Sequence, residues 1–195
     1  MFDLTTDAIF TDYSIGLANQ CNDFICGEED IDNFFIEDVF LYENELLGKS
    51  YCWLDKNNPS EIIAIITLAY NGINLTSVDN SSKNKFQRPI PNSKRHENYP
   101  AVLIGRLGVN IKYQEKGYNI GSQILKFIRI WFKLPSNKAA CRFILVDAIN
   151  KPKPLHLYEK NGYKALYKSE EREKEAFGIS EETDLKTRIY YLDLK

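Results

Sequence analysis

Residues 112–134 combine the residue types and spacing best suited to chemistry. A strand-like run at 102–109 leads into a short loop carrying Gln114, Gly117 and Gly121. A helix-period run follows, with Ile124, Phe127, Ile128, Trp131 and Phe132 on one face. A strand, a glycine loop and a helix start in that order make an anion site. The first N–H groups of a helix lack intrahelical acceptors, the helix dipole adds partial positive charge there, and glycine lets the backbone close on a phosphate. Gly121-Ser122-Gln123 lacks the lysine of a Walker loop, and the three-glycine spacing of a dinucleotide-binding loop is absent. The same residues also read as an ordinary strand-to-helix turn whose glycines serve only the reversal.

The elements that must position this loop are legible in outline. Upstream, the pattern predicts a first strand near 13–17. One or two helices follow over 29–47, with Ile31, Phe34, Phe35, Val39 and Leu46 on their apolar faces, and then a hairpin of strands 51–54 and 61–70 around Asn57-Asn58-Pro59. Residues 71–98 are rich in Asn, Ser, Pro and Lys and read as a long loop. Lys83, Lys85, Arg88, Lys94 and Arg95 fall there with no intervening acid: a solvated surface, or a basic flap for an anionic partner. Downstream come a helix break at Pro135-Ser136-Asn137, a strand at 142–148 with Asn150 beyond its end, and a short helix at 155–160 stopped by Asn161-Gly162. A strand at 163–167, a charged stretch at 168–187 and a closing strand at 188–194 complete the chain. The order predicts one α/β (α+β) domain over 1–195 with a mixed sheet.

Composition narrows the classes. With 195 residues, 44% hydrophobic and 13% aromatic, the chain supports a substantial core. A formal charge of −2 gives no global basic field for nucleic acid. No apolar run reaches a membrane span, and residues 1–20 lack the pattern of a secretory signal. The scattered Cys21, Cys26, Cys52 and Cys141 fit a reducing cytoplasm. With only His96 and His156 beside them, no structural metal spacing arises and no metal is expected.

Several segments together resemble the GCN5-related N-acetyltransferases. They are Gly105-Arg106-Leu107-Gly108-Val109, Tyr113-Gln114-Glu115-Lys116-Gly117, Gly121-Ser122-Gln123-Ile124-Leu125, Asp147-Ala148-Ile149-Asn150 and Leu157-Tyr158-Glu159-Lys160-Asn161-Gly162-Tyr163. Phe24-Ile25-Cys26-Gly27, Ile31-Asp32-Asn33-Phe34 and the run from Tyr99 to Leu107 are similar to the toxin-type subgroup, whose members acetylate the amino group of aminoacyl-tRNA. One departure stands in the loop. Asn119 lies where the family's second glycine belongs, or else Tyr118-Asn119 is an insertion and Gly121 is that glycine.

The resemblance implies a mostly antiparallel sheet of six to seven strands flanked by helices, with two parallel strands splaying at its centre. It implies acetyl-CoA as co-substrate, held by Leu107, Gly108, Val109, Gln114, Glu115, Lys116, Gly117, Tyr118, Asn119, Ile120, Gly121, Ser122 and Asn150. The backbone N–H of Val109 becomes an oxyanion donor, and Tyr158 the general acid for the departing thiolate. Read locally, Tyr158 is also a core tyrosine and Asn150 also a turn or cap residue. Asp147, Glu61 and His156 are possible bases by type and none is assigned; His156 should face away from Tyr158. Acceptors admitted are aminoacyl-tRNA, through the basic residues 83–95, or a small-molecule or peptide amine. A homodimer and an antitoxin are admitted as partners. The other class of function is a non-catalytic module of the same fold with an impaired CoA site.

Overall fold

The computed structural model describes residues 2–114, 116–137 and 139–195. In chain order the elements are α1 (Leu4–Asp7), β1 (Ala8–Asp12), α2 (Ile15–Ala18), α3 (Glu29–Asn33), α4 (Val39–Asn44), β2 (Lys49–Asp55), β3 (Asn58–Asn74), α5 (Asn80–Gln87), β4 (Asn98–Val109), α6 (Ile111–Gln114), α7 (Ile120–Trp131), β5 (Phe143–Ile149), α8 (Pro152–Lys160), β6 (Lys164–Ala165), α9 (Glu170–Phe177) and β7 (Thr187–Asp193). A π-helical turn, Phe34–Asp38, joins α3 to α4. The residues form two compact units, Met1–Ala69 with Ile104–Ile130 and Tyr70–Leu103 with Trp131–Lys195, so β3 and β4 contribute to both.

In the first unit β1, β2 and β3 pair antiparallel, with Phe10 opposite Trp53 and Cys52 opposite Ile65. The Asn110 N–H donates to the Ile63 carbonyl at 2.9 Å and fixes the end of β4 against β3. Ile62, Ile63, Ala64, Ile65 and Ile66 are buried in succession, the mark of a strand covered on both faces. α7 covers one face: Ile124, Leu125 and Ile128 are buried, and Phe127 meets Phe10 at 4.7 Å and Trp53 at 5.5 Å. Each such fully buried apolar side chain contributes roughly 1.5–3 kcal/mol. The helical stretch from α3 to α4 brings Phe34, Phe35 and Val39 into the core, with Phe35 edge-on to Tyr13 and Phe24.

In the second unit β5 and β6 both pair antiparallel with β7. The Leu75 N–H to Glu97 carbonyl bond, 2.8 Å, keeps β3 and β4 antiparallel here as well. The Arg142 N–H donates to the Pro100 carbonyl at 3.1 Å, bringing the start of β5 to β4. With strand order β1-β2-β3-β4-β5-β7-β6, the single parallel pair is therefore β4–β5. The sheet is the expected one, seven-stranded, mixed and mostly antiparallel, with flanking helices.

Four segments differ from their sequence expectation. Residues 13–17 are not a strand. The first strand is β1, and the Ser14 hydroxyl accepts from the Leu17 N–H to start α2, a cap that overrides the apolar pattern. Within 71–98 the structure holds the end of β3, the helix α5 and a 3-10 turn at Asn92–Lys94 before β4 begins. Asp79 caps α5 through the Ser81 and Ser82 N–H groups. Phe86, its one large apolar residue, packs on Phe143 at 4.5 Å, Tyr191 at 4.7 Å and Tyr99 at 5.4 Å. The strand expected at 163–167 shrinks to Lys164–Ala165. The charged stretch contains α9, whose Glu173 is buried and accepts from Arg188 Nε at 2.6 Å and the Ile189 N–H at 2.7 Å.

The four cysteines are free; Cys26 and Cys52 are buried, Cys141 only half-buried. Among the described residues no helix is long and apolar enough to cross a membrane. Phe86 anchors the basic segment, so Phe86→Ala should destabilise the protein by about 3–5 kcal/mol in urea unfolding. A loss below about 1 kcal/mol would show that α5 is anchored by other contacts.

Candidate functional site

The first unit supplies the strand, loop and helix start. β4 ends at Val109, and the buried Asn110 turns the chain: its N–H and Nδ2 donate to the Ile63 and Ile62 carbonyls, and its Oδ1 accepts from the Lys112 N–H. Adjacent residues of a strand direct their N–H groups to opposite edges, so that of Val109 points away from β3. Gly108 lies under Phe24; a Cβ there would meet the Phe24 ring at 3.0 Å and Cys26 at 3.2 Å. Gly108 is thus small because Phe24 covers it, a reason its motif position alone did not give.

Gln114 is half-buried, and its Nε2 donates to the Cys26 carbonyl at 2.6 Å and the Val109 carbonyl at 2.7 Å. It therefore fastens the strand end to residues 24–27. The Asp32 carboxylate fixes that loop in turn, accepting from the Cys26 N–H at 2.7 Å and the Gly27 N–H at 3.0 Å. The N-terminal segments that resembled the toxin subgroup thus form the floor on which β4 ends.

Beyond Gln114 the loop carries Lys116, Gly117, Tyr118 and Asn119; Glu115 lies outside the described residues. Lys116 sits over the Tyr113 ring at 5.6 Å. Gly117 (φ 69°) and Asn119 (φ 53°) are left-handed, whereas Gly121 lies within α7. The backbone demand usually met by glycine therefore falls on Asn119, which tolerates it better than most residues. The first i→i−4 bond of α7 runs from the Gln123 N–H to the Asn119 carbonyl. The amides of Ile120 and Gly121 precede it and form the positive end of the helix. No heavy atom lies within 4 Å of a Cβ built on Gly117. This open, amide-rich turn fits a pyrophosphate. The Ile120 side chain is buried in the core, Ser122 is half-buried on the first turn, and Leu107 is half-buried on β4.

Of the carboxylates weighed as bases, Glu61 is buried and paired with Lys112 Nζ at 2.7 Å, with Asn22 Nδ2 at 3.1 Å. The Lys112 ammonium holds its carboxyl below the usual range, so it is a poor base. Asp147 is exposed on β5 and His156 exposed on α8.

The second unit supplies Asn150 and Tyr158. Asn150 follows β5 and is occupied by the chain itself: its N–H donates to the Lys186 carbonyl at 2.9 Å and its Nδ2 to the Leu185 carbonyl at 3.1 Å. Tyr158 lies on α8, which begins with Pro152 at a position where proline suits a helix. Its ring meets Tyr163 edge-on at 5.4 Å and only 7% of the residue is exposed. Among the described residues, none hydrogen-bonds its hydroxyl. Burial pushes the phenol well above its ordinary value of 10.0, so it stays protonated at neutral pH.

The motif reading missed Asn110, Asp32, Phe24 and Gln123. Asn110 carried a signal, an Asn directly after a strand. The Gln123 side chain accepts from the Leu4 N–H at 2.8 Å and donates to the Phe2 and Tyr118 carbonyls at 2.9 and 2.8 Å. These partners are remote or backbone, and no local pattern reveals them.

Solved structures share this fold. A tyrosine-to-phenylalanine variant of KacT is 17% identical with a TM-score of 0.62, covering 95% of each chain. AtaT complexed with acetyl-methionyl-tRNAfMet is 15% identical with a TM-score of 0.63, over 96% of this chain and 95% of its own. A tyrosine-to-phenylalanine variant of the AtaT toxin, bound to the C-terminus of the antitoxin AtaR and acetyl-CoA, is 14% identical with a TM-score of 0.58, over 96% and 94%. No protein-family profile and no curated protein sequence matches the chain. The chain has the fold of toxin-type acetyltransferases, as its motifs led us to expect.

Tyr158 makes a stability prediction. The unfolded phenol ionises near pH 10 and the folded one at higher pH, so above about pH 10 the unfolded state binds fewer protons and stability falls as pH rises. Below that value the contribution is fully present. Tyr158→Phe should keep neutral-pH stability and lose about 1.4 kcal/mol per pH unit of that alkaline slope. Urea unfolding of both proteins between about pH 9 and pH 11 reads the difference; identical slopes would mean that the folded phenol ionises normally.

Proposed function

We propose that this protein is an N-acetyltransferase that uses acetyl-CoA to acetylate a primary amine. The observation that carries the reading is the open turn before α7, with left-handed Gly117 and Asn119 and free space at Gly117, in a fold shared with AtaT, solved with acetyl-CoA. Tyr158, a largely buried phenol that stays neutral at pH 7, is the proton donor in this reading. Residues 1–195 are proposed to form a single N-acetyltransferase domain.

Acetyl-CoA supplies an acyl thioester, activated toward amines. The amides of Gly117 to Ser122 would hold its pyrophosphate, with Lys116 and the α7 dipole adding positive charge. Leu107, Gly108 and Val109 would meet the pantetheine arm along β4, where backbone groups bond to amides as an added strand does. The Val109 N–H is the oxyanion donor in this scheme, and such a donor is worth about 2.7–4 kcal/mol of barrier. Asn150 would contribute through its carboxamide oxygen, since its Nδ2 holds the Leu185 carbonyl. Gln114 acts differently from its motif assignment, holding the Val109 carbonyl and so orienting the strand end. Tyr158 delivers its proton to the departing sulfur. As the C–N bond forms and the C–S bond breaks, the proton the amine sheds passes to water or restores the Tyr158 phenol. No base is assigned: an α-amine, with pKa near 7.7–8.0, is about a tenth or more neutral at pH 7, whereas a lysine-type amine near 10.4 is below about a thousandth neutral.

For the acceptor we favour an aminoacyl-tRNA. AtaT was solved with acetyl-methionyl-tRNAfMet, and α5 and the turn after it present Lys85, Arg88 and Lys94 to solvent. Lys83 is paired with Glu97 at 2.5 Å, and Arg95 Nε holds the Ile90 carbonyl, so two of the five expected cations are partly occupied. A small-molecule or peptide amine is the other acceptor class. An antitoxin is a proposed partner by likeness to AtaT, solved with AtaR. The non-catalytic reading draws on Gln114 and Asn150, whose amides both serve the chain itself.

Acetyl-CoA at about 100 times its Kd should raise stability by about 2.7 kcal/mol. Tyr158→Phe should retain that shift and lose about 10²–10⁴-fold in turnover. No stabilisation of the wild type by acetyl-CoA would favour the non-catalytic module; unchanged turnover in the variant would remove Tyr158 from proton transfer. Reversing Lys85 and Arg88 to Glu should weaken tRNA binding and flatten its salt dependence. Unaltered tRNA binding would point to the small amine.

A further inference from the structure

We infer that Gln123, together with residues 2–4, forms a brace that sets the conformation of the anion loop, making Gln123 a positioning residue for the nucleotide end of the acetyl donor. The inference rests on the acetyl-CoA reading for its ligand, but the brace itself is a property of the free protein.

The loop between Gln114 and α7 has a conformational problem. Two left-handed residues, Gly117 and Asn119, flank Tyr118. Glycine adopts that conformation freely, but Asn119 carries a Cβ and is disfavoured there. A segment of this kind keeps one shape only if surrounding contacts over-determine it. Those contacts come from two places. On the helix side, the Gln123 Nε2 donates to the Tyr118 carbonyl at 2.8 Å, and its backbone N–H donates to the Asn119 carbonyl at 3.1 Å. One residue thus holds the Tyr118 and Asn119 carbonyls, while the Asn119 Nδ2 reaches that of Gly117 at 3.4 Å. From the far side of the sequence, the same side chain accepts from the Leu4 N–H at 2.8 Å and donates to the Phe2 carbonyl at 2.9 Å. Both N–H groups of its carboxamide are used, and its oxygen accepts one bond.

The brace is closed by rings. Phe2 lies 5.7 Å from Tyr113, edge-on, and 5.5 Å from Tyr118. Tyr113 is itself fixed, its hydroxyl donating to Asp55 Oδ2 at 2.8 Å. Tyr113, Phe2 and Tyr118 therefore form a continuous wall from the β2–β3 hairpin to the loop, and Gln123 ties that wall to α7. The amides that would face a pyrophosphate, those of Gly117 to Gly121, lie on the segment this wall holds. An amide cradle binds an anion well only if its N–H groups are pre-aimed, since ordering them at binding reduces affinity. Gln123 touches no position assigned to the donor's reacting atoms, so its effect is on binding.

The test uses the full chain with Gln123→Ala and, separately, Phe2→Ala. Backbone amide order parameters are measured by NMR relaxation in the ligand-free protein, and CoA affinity is measured by calorimetry. Gln123→Ala should lower the order parameters of Gly117 to Gly121 from the rigid value of about 0.85 to below about 0.6, with Ile124 to Ile128 unchanged. It should also raise the Kd for CoA by about tenfold. Phe2→Ala should move both readouts the same way by less, and it decides the matter if Gln123→Ala does not fold. Unchanged order parameters in the loop overturn the brace, whatever happens to CoA. A purely structural role for Gln123 would lower global stability and the order parameters throughout α7, and this too overturns it. If the loop order parameters respond as expected but the wild type does not bind CoA, the brace stands and the acetyl-CoA reading fails.

Discussion

A strand that ends against other chain segments leaves carbonyls without ladder partners, and a buried unpaired carbonyl costs about 1–3 kcal/mol. At the end of β4 that need is met by a single side chain. The Gln114 amide reaches both the Val109 and Cys26 carbonyls. Asp32 then fixes Cys26 and Gly27, and Phe24 covers Gly108. The anion loop consequently leaves from a point held on three sides, and the direction of the Val109 N–H is set by the same contacts. A residue with this role keeps only its carboxamide oxygen and backbone for a ligand, and Asn150 likewise keeps its carboxamide oxygen.

The tyrosines show why a raised phenol alone identifies nothing. Tyr113 and Tyr158 both lie well above the ordinary value, in each case first because burial disfavours the anion. Tyr113 has in addition the Asp55 carboxylate as acceptor, and Tyr190, pushed up to about 12, has Glu159 at 2.9 Å. These hydroxyls are hydrogen-bonded, as buried polar groups almost always are. Tyr158 shares its burial, its raised phenol and the lack of a hydroxyl partner among the described residues with Tyr13, Tyr167 and Tyr191. Its distinguishing feature is its place on α8, in the segment that carries the family resemblance.

Much of the fold was legible because it rests on strong periodic signals. The unbroken run Ile62 to Ile66 and the amphipathic stretch from Ile124 to Ile128 are what a doubly covered strand and its covering helix require. What escaped notice was held by single contacts. α5 is polar except for Phe86, and α9 is charged over its first six residues, docking through the buried Glu173–Arg188 pair with Ala176 and Phe177 at its end. Helices with so few apolar residues have no apolar period to read, and the partner of Glu173 is 15 positions away. The site divides in the same way. Its backbone geometry followed from Gly117 and the helix start, whereas the contacts that fix it, through Gln123, Asp32 and Asn110, are side chain to distant backbone.

Charge requires the same distinction between local and global. The chain carries a formal −2, which as a net field disfavours polyanions. At physiological ionic strength, however, charges separated by more than about 8 Å are largely screened. What a phosphate meets is then the nearest few side chains, and around α5 these are Lys85, Arg88 and Lys94, with Glu97 already engaged by Lys83. The acids are concentrated elsewhere in the sequence, in α3 with Glu29, Asp30 and Asp32 and in α9 with Glu170, Glu171, Glu173 and Glu175. Separation in sequence is not separation in space, however: Arg172 of α9 acts electrostatically on Asp79, the cap of α5. The same reasoning applies on a smaller scale at α7, where partial charges on a few aligned amides act over one helical turn and the sign of the whole chain has no bearing.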